Sequence, residues 1–101
     1  MQSNAPAPLP LGARLVGVSA RGLTLACPAP AHIGSLIELD LTLGVRPVPL
    51  LARVTASQPA EAAHRIELEY VGLAQLDRDT IADFLTALGP GAVSIHEHRD
   101  V

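Results

Sequence analysis

Residues 35–43 (SLIELDLTL) constrain the fold most strongly, because apolar and polar side chains alternate along them. From position 37 onward, each odd-numbered residue of this segment is Ile or Leu, and the even-numbered residues are Glu, Asp and Thr. A period of two residues is typical of a β-strand with one buried side and one side facing water. The segment therefore predicts a half-buried strand, and with it a sheet that has one apolar face.

Shorter segments of similar character predict four more strands, at Arg14–Val18, Leu23–Cys27, Leu50–Ser57 and His64–Val71. The intervening segments are rich in Gly, Pro and small residues, which predicts turns and loops. Only Phe84 and Tyr70 carry aromatic rings, so the core depends on Leu, Val, Ile and Ala. Such a core suits strands, because β-branched side chains pack well on a pleated surface.

The apolar period changes near the C-terminus. Residues at helical spacing form one apolar stripe: Ile81, Phe84, Leu85 and Leu88. We predict a helix from about Arg78 to Leu88, with Asp77 as its N-cap and Gly89-Pro90 as its end. The complete pattern predicts an all-β small barrel of about five to six antiparallel strands with one C-terminal α-helix, which covers an open part of the sheet.

A chain of 101 residues fits a single domain. We predict a flexible Pro/Ala-rich N-terminus at 1–12, a folded domain at 13–88 and a flexible tail at 89–101. The lone Cys27 allows no internal disulfide, and we expect it to be a small buried apolar side chain in a reducing compartment. With no signal peptide and no apolar run long enough for a bilayer, we expect a cytoplasmic protein without membrane insertion.

Charge and motifs argue against several functions. The net charge is −3 and the seven basic residues are scattered arginines, which is unlike a DNA- or RNA-binding surface. The chain has no phosphate-binding loop, and residues 17–21 (GVSAR) lack the second glycine of a nucleophile elbow, so we predict no enzyme and no cofactor. His96 and His98 could share a metal ion on one strand face, but a working site needs three or four ligands, and a solvated tail is favoured.

One local motif stands out at the junction of the first two predicted strands. Residues 17–22 (GVSARG), followed by Leu23-Thr24-Leu25, resemble the second signature of the PilZ domain family, which reads Asp/Asn-x-Ser-x-x-Gly. The resemblance continues in order along residues 13–88. Its later parts are a Pro-x-x-x-Gly loop, an Ala-x-Val strand, a strand with an aromatic near its end, and a closing helix, matched by Pro30–Gly34, Ala52–Val54, Ile66–Tyr70 and Asp77–Leu88.

The resemblance implies a small β-barrel and one ligand, the bacterial second messenger cyclic di-GMP. The candidate ligand-binding residues are Ser19 and Gly22, which match the motif, and Gly17, which stands at its first position. Arg14 and Arg21 are added as nearby cations, at positions that the motif does not assign to the ligand. Two departures from the family weaken that implication. The upstream Arg-x-x-x-Arg segment, whose guanidinium groups meet guanine edges and phosphates, is absent, and Gly17 stands where the family has Asp or Asn. Each charge-assisted hydrogen bond lost with the arginines would cost about 1.5–3 kcal/mol.

Two functional interpretations follow from the resemblance. The first is a degenerate PilZ-like signalling or adaptor module that acts by protein contact in motility, pili or exopolysaccharide regulation. The alternative is a true cyclic di-GMP receptor with a reduced site around Ser19 and Arg21. Little of the chain could supply the family's first strand, so we expect an open barrel edge that pairs with a protein partner or a second copy. A purely structural interpretation of the motif is a tight turn, with Ser19 bonded to its own backbone and Gly22 at positive φ.

Overall fold

A computed structural model of the chain describes residues 6–98. It contains one α-helix and one short 3-10 helix among seven strands. In chain order, the elements are β1 (Ala7–Pro8), β2 (Arg14–Val18), β3 (Gly22–Cys27), β4 (Leu36–Leu43), β5 (Arg46–Ala60), β6 (Ala63–Tyr70), α1 (Gln75–Leu88), the 3-10 helix (Pro90–Ala92) and β7 (Val93–Glu97).

All seven strands belong to one sheet, in the order β1-β4-β5-β6-β3-β2, with β7 also paired to β4. The pairs are antiparallel except for β1, which runs parallel to β4. Two strands share the outer edge of β4. The short β1 pairs with Ile37 and Glu38, and β7 pairs with the five residues from Leu39 to Leu43.

The sheet is open, so the predicted closure into a barrel is wrong. One end of the sheet is β2, the other end is formed by β1 and β7, and no ladder joins these ends within residues 6–98. The edge strand β2 carries a β-bulge, because Val16 has no partner between the pairs Leu15↔Leu25 and Gly17↔Thr24. Bulges bend an edge strand and interrupt its regular hydrogen-bonding positions, which disfavours a continuous ladder with another strand.

Strand β5 is longer than expected, because it includes prolines that had indicated a loop. Residues 46–51 of β5 pair with β4 alone, and pairing with β6 begins only at Ala52. Pro47 and Pro49 are two residues apart, so their nitrogens point to the same side of the strand. A proline nitrogen cannot donate to a ladder, but that is tolerated where one side of the strand has no neighbour.

The buried face of the sheet forms the core. As predicted, the apolar positions of β4 are buried and its alternate positions are half-buried or exposed. Cys27 is also buried, as expected, and burial raises the pKa of its thiol. The buried side chains are Leu23, Leu25, Cys27, Ile37, Leu39, Leu41, Leu43, Val48, Leu50, Ala52, Val54, Ile66, Leu68, Tyr70, Ile81 and Val93.

Helix α1 packs on this core mainly through Ile81, which is fully buried. Phe84 and Leu85 are partly buried against the core, whereas Leu88, the last residue of the predicted stripe, is 65% exposed, so its predicted burial is wrong. The helix begins at Gln75 after Ala74, so Asp77 lies in its first turn and is not the N-cap. Gly89 ends the helix as predicted, with a φ of 79° and its N–H bonded to the oxygen of Leu85. Of the described residues, no helix is both long and apolar enough to cross a membrane.

The segment expected to be a flexible tail contains the 3-10 helix and β7. Val93 and Ile95 face the core and alternate with exposed Ser94 and His96, and that short period-two pattern is typical of an edge strand. β1 likewise lies within the N-terminal segment that was expected to be flexible. Residues 1–5 and 99–101, the remaining parts of those two predicted segments, lie outside the described residues.

Candidate functional site

The turn between β2 and β3, which we call the signature turn, consists of Ser19–Gly22. The N–H of Ser19 donates to the oxygen of Gly22 at 2.9 Å. The hydroxyl oxygen of Ser19 accepts from the N–H groups of Arg21 and Gly22, at 3.1 and 3.3 Å. The local prediction for Ser19 is confirmed, because its side chain holds the turn that it begins.

The signature turn is also bound to β6 and α1. The hydroxyl of Tyr70 donates to the oxygen of Ser19 at 2.9 Å, and its N–H donates to the oxygen of Arg21 at 3.0 Å. Arg78 of α1 donates to the oxygen of Ala20 at 3.3 Å. Three consecutive carbonyls of the turn therefore have donors from other elements, which fixes the turn on the folded domain.

Position 22 requires glycine because there is no space for a side chain, and not because of its φ angle. The prediction that Gly22 takes a positive φ is wrong, because its φ is not positive. A Cβ at this position would lie 2.0 Å from the oxygen of Leu68, which is a backbone atom of β6. Glycine therefore lets β3 begin directly against β6.

A groove of about 300 Å³ opens beside the signature turn. We call it the turn groove. Four of the five candidate residues border it, namely Gly17, Ser19, Arg21 and Gly22. Its other polar lining residues come from β3, β5 and β6, and they are Thr24, Thr55, Glu67 and Glu69.

The fifth candidate, Arg14, does not belong to the turn groove. It lies at the start of β2, opposite Ala26, whereas the signature turn lies at the far end of the same hairpin. Arg14 borders a second groove, of about 470 Å³, beside the hairpin tip of β5 and β6. The structure thus separates Arg14 from Ser19 and Arg21, which the sequence had grouped into one site.

Two carboxylates give the turn groove its electrostatic character. In the β3–β6 ladder, Glu67 lies opposite Thr24 and Glu69 lies opposite Gly22, which places both carboxylates beside the signature turn. Arg53 approaches Glu69 at 4.0 Å, but both side chains are about half exposed, so this contact stabilises little. A groove with two carboxylates and Arg21 favours hydrogen-bond donors and cations over a ligand with two phosphates.

The sequence pattern places Glu67 and Glu69 on the exposed face of β6, but it does not connect that face with the candidate site. The alternation of His64–Val71 put Glu67 and Glu69 on one face. Their position beside Ser19 depends on the β3–β6 pairing, which joins Thr24 to Glu67 and Gly22 to Glu69, each more than 40 positions apart. The period of a strand carries no information about which strand it will pair with.

The histidines of the C-terminal segment do not assemble a metal site with other described residues. His98 Nδ1 lies 2.7 Å from Asp40 Oδ1, and His96 Nε2 lies 3.0 Å from the hydroxyl of Ser94. Within residues 6–98, no group of three or more His, Cys, Asp or Glu side chains is arranged to hold a metal ion. The contact of His98 with Asp40 joins the end of β7 to β4.

Comparisons with known proteins give no relative for the chain. No family model, no curated protein and no solved structure matches it.

Replacing Tyr70 with Phe tests how the signature turn is held. Tyr70→Phe removes the 2.9 Å bond to Ser19. We expect it to lower the free energy of unfolding by about 1 kcal/mol at neutral pH. Chemical denaturation monitored by circular dichroism measures this difference.

The same variant has a distinct pH signature. Burial raises the pKa of Tyr70, with Arg78 acting weakly in the opposite direction. The folded state therefore holds the phenol proton more tightly than the unfolded state does. The stabilisation is complete below the unfolded pKa of about 10 and is lost as pH rises from there through the folded pKa. The difference in free energy of unfolding between wild type and Tyr70→Phe should therefore narrow above about pH 10. Cys27 is present in both proteins, so its ionisation affects the stability of both. Parallel stability curves would contradict this.

Proposed function

We propose that the chain is a PilZ-like signalling or adaptor module in cyclic di-GMP-related regulation, and that it acts by protein contact and not by catalysis. Its outputs would be motility, pili or exopolysaccharide production in a bacterial cytoplasm. The observation that carries this proposal is the open edge of the sheet at β2, considered together with a signature turn whose polar atoms are already used by the fold.

The order of elements supports the family resemblance. The signature turn lies between β2 and β3, and the Pro30–Gly34 loop leads into the long strand β4. Ala52–Val54 lies within β5, and Tyr70 ends β6, just before α1. These positions support the resemblance, although β5 begins at Arg46, before Ala52, and the sheet of the described residues is open.

The geometry of β2 supports action by protein contact. Among the described strands, β2 hydrogen-bonds to β3, and its other edge has no strand partner. Val16 is 58% exposed on this strand, at the bulge. An unpaired edge that exposes an apolar side chain is a contact surface for another chain, and the bulge favours side-chain packing there over an added strand.

The composition of the turn groove favours the contact role over nucleotide binding. The Ser19 hydroxyl accepts two backbone N–H groups, and Gly17 offers no side chain to a base. Glu67 and Glu69 would repel the phosphates of cyclic di-GMP. The two arginines of the family's Arg-x-x-x-Arg segment are also missing. Their absence would cost about 3–6 kcal/mol of binding free energy, which converts a micromolar ligand into one of negligible affinity.

The β2 edge can be tested with a matched pair of valine substitutions. Val16→Lys places a charge on the edge, and Val45→Lys places one in the β4–β5 turn, where Val45 is 97% exposed. We expect Val16→Lys, but not Val45→Lys, to lose partners that co-purify from the bacterial host, or to lose self-association in sedimentation of the purified chain. The same co-purifying proteins and the same sedimentation for both variants would contradict contact through β2.

A further inference from the structure

The second groove, which we call the arginine groove, places two arginines on one face of the sheet. Arg14 on β2 and Arg65 on β6 are both register partners of Ala26, which lies between them on β3. Both side chains are exposed, and both border the groove of about 470 Å³. This pairing crosses three strands, so it could not be read from the sequence.

The spacing of the two arginines suits one bridging anion. Strands lie about 4.8 Å apart, so the Cα atoms of Arg14 and Arg65 are separated by roughly 10 Å. Between them the strand presents only the methyl group of Ala26, which leaves the space above the sheet open. Two guanidinium groups can therefore converge on an anion above Ala26, and each can offer two parallel N–H donors to its oxygens.

No described acidic group neutralises this arginine pair. Neither Arg14 nor Arg65 makes an ion pair within residues 6–98, where the arginine that does so is Arg53. Glu61 and His64 are the other titratable residues that border the arginine groove. The formal charges of Arg14, Arg65 and Glu61 sum to +1, which favours an anion.

We propose that the arginine groove binds a phosphate ester whose phosphate bridges Arg14 and Arg65. Phosphate oxygens match the forked donors of both arginines, whereas a single carboxylate has only two oxygens for them. Apart from the charged residues and His64, the lining is apolar and suits the body of an organic ester; it consists of Val16, Leu25, Ala26, Ala60, Ala62 and Ala63. The groove volume lies within the range of small-molecule sites, about 300–1,000 Å³. This site is distinct from the turn groove and does not depend on the proposed function.

Amide chemical-shift mapping of the full-length chain with GMP tests the site directly, because GMP joins a phosphate to a flat organic body. We expect shifts centred on Arg14, Ala26 and Arg65. Guanosine, which lacks the phosphate, should produce none of them. Arg14→Gln and Arg65→Gln should each weaken GMP binding by about tenfold, as expected for loss of a charge-assisted hydrogen bond. Arg46→Gln, at an exposed arginine of β5 that does not border the groove, should bind like wild type.

Several results would overturn the proposal. One is the absence of shifts at these residues with GMP up to about 5 mM, well beyond the range of useful affinity. Others are equal binding of guanosine, unchanged GMP binding by both glutamine variants, or shifts centred on Ser19–Gly22. Because Arg14 and Arg65 are exposed, their glutamine variants are expected to fold, and their amide spectra verify this before the titration. Failure of the site would leave the β2 contact untouched, since the Val16→Lys experiment needs no ligand.

Discussion

Replacing Gly22 with Ala should destabilise the domain by about 3 kcal/mol or more, with a fall in Tm of more than about 10 °C. The added Cβ would lie 2.0 Å from the oxygen of Leu68 and 3.0 Å from the Cα of Glu69. Both are backbone atoms of β6, so no side-chain rotation can relieve the overlap. Either β3 moves away from β6, or the ladder that joins them breaks at its first residue. Thermal and urea unfolding followed by circular dichroism measure the loss.

Gly17 provides the matched control for Gly22. It lies on the same hairpin, but a Cβ there would be 3.8 Å from Thr24, which is an ordinary van der Waals contact. Neither glycine has a positive φ, so the two substitutions differ only in the space available. We expect Gly17→Ala to remain within about 0.5 kcal/mol of wild type. Equal stability of the two variants would mean that β3 and β6 are not as close as described.

Truncating Ile81 to Ala should lower the free energy of unfolding by about 2–5 kcal/mol. Ile81 is the helix residue that is fully buried in the core, so its loss leaves a cavity between α1 and the sheet. Denaturant unfolding gives the free energy, and the far-ultraviolet signal shows whether helix content is retained at the start of the transition.

Leu88→Ala tests whether Leu88 is exposed, as in the structure, or buried, as its helical spacing predicts. The periodicity placed Leu88 on the same buried stripe as Ile81, but the side chain is 65% exposed. Alanine is also a better helix former than leucine, so we expect a change within about 0.5 kcal/mol. A loss comparable to that of Ile81→Ala would show that the whole stripe packs on the sheet, contrary to the structure.

Local patterns in the sequence identified most of the elements. The alternation in 35–43 predicted β4, and Ile81, Phe84 and Leu85 predicted the face on which α1 packs. Such patterns succeed because one buried face sets the period of the element that carries it. The strand β7 carries the same signal over only five residues, with exposed Ser94 and His96 between its apolar positions. A pattern that short is not distinguishable from a polar tail.

The composition of the candidate site could not be predicted in the same way. Ser19, Arg21 and Gly22 are neighbours in the chain, so their shared turn follows from local chemistry. Strand pairing alone brings Glu67 and Glu69 beside these residues. It also places Arg14 near Arg65 and away from the signature turn. The need for glycine at position 22 has the same origin, because the atom that excludes a side chain belongs to Leu68.

The side chains of the signature turn and its neighbours serve the fold. Here the Ser19 hydroxyl accepts the backbone N–H groups of Arg21 and Gly22, and Tyr70 and Arg78 hold the turn from behind. Ser19 and Gly22 therefore have structural reasons to be present that do not require a nucleotide.

Isothermal titration calorimetry of the purified chain with cyclic di-GMP at moderate salt tests the central claim most directly. The proposed contact role predicts no binding heat that depends on Ser19 or Arg21 up to a few hundred micromolar ligand, because the family's Arg-x-x-x-Arg segment is missing and two carboxylates border the turn groove. A micromolar dissociation constant that is lost in both Ser19→Ala and Arg21→Ala would contradict it, and would establish the signature turn as a working receptor site.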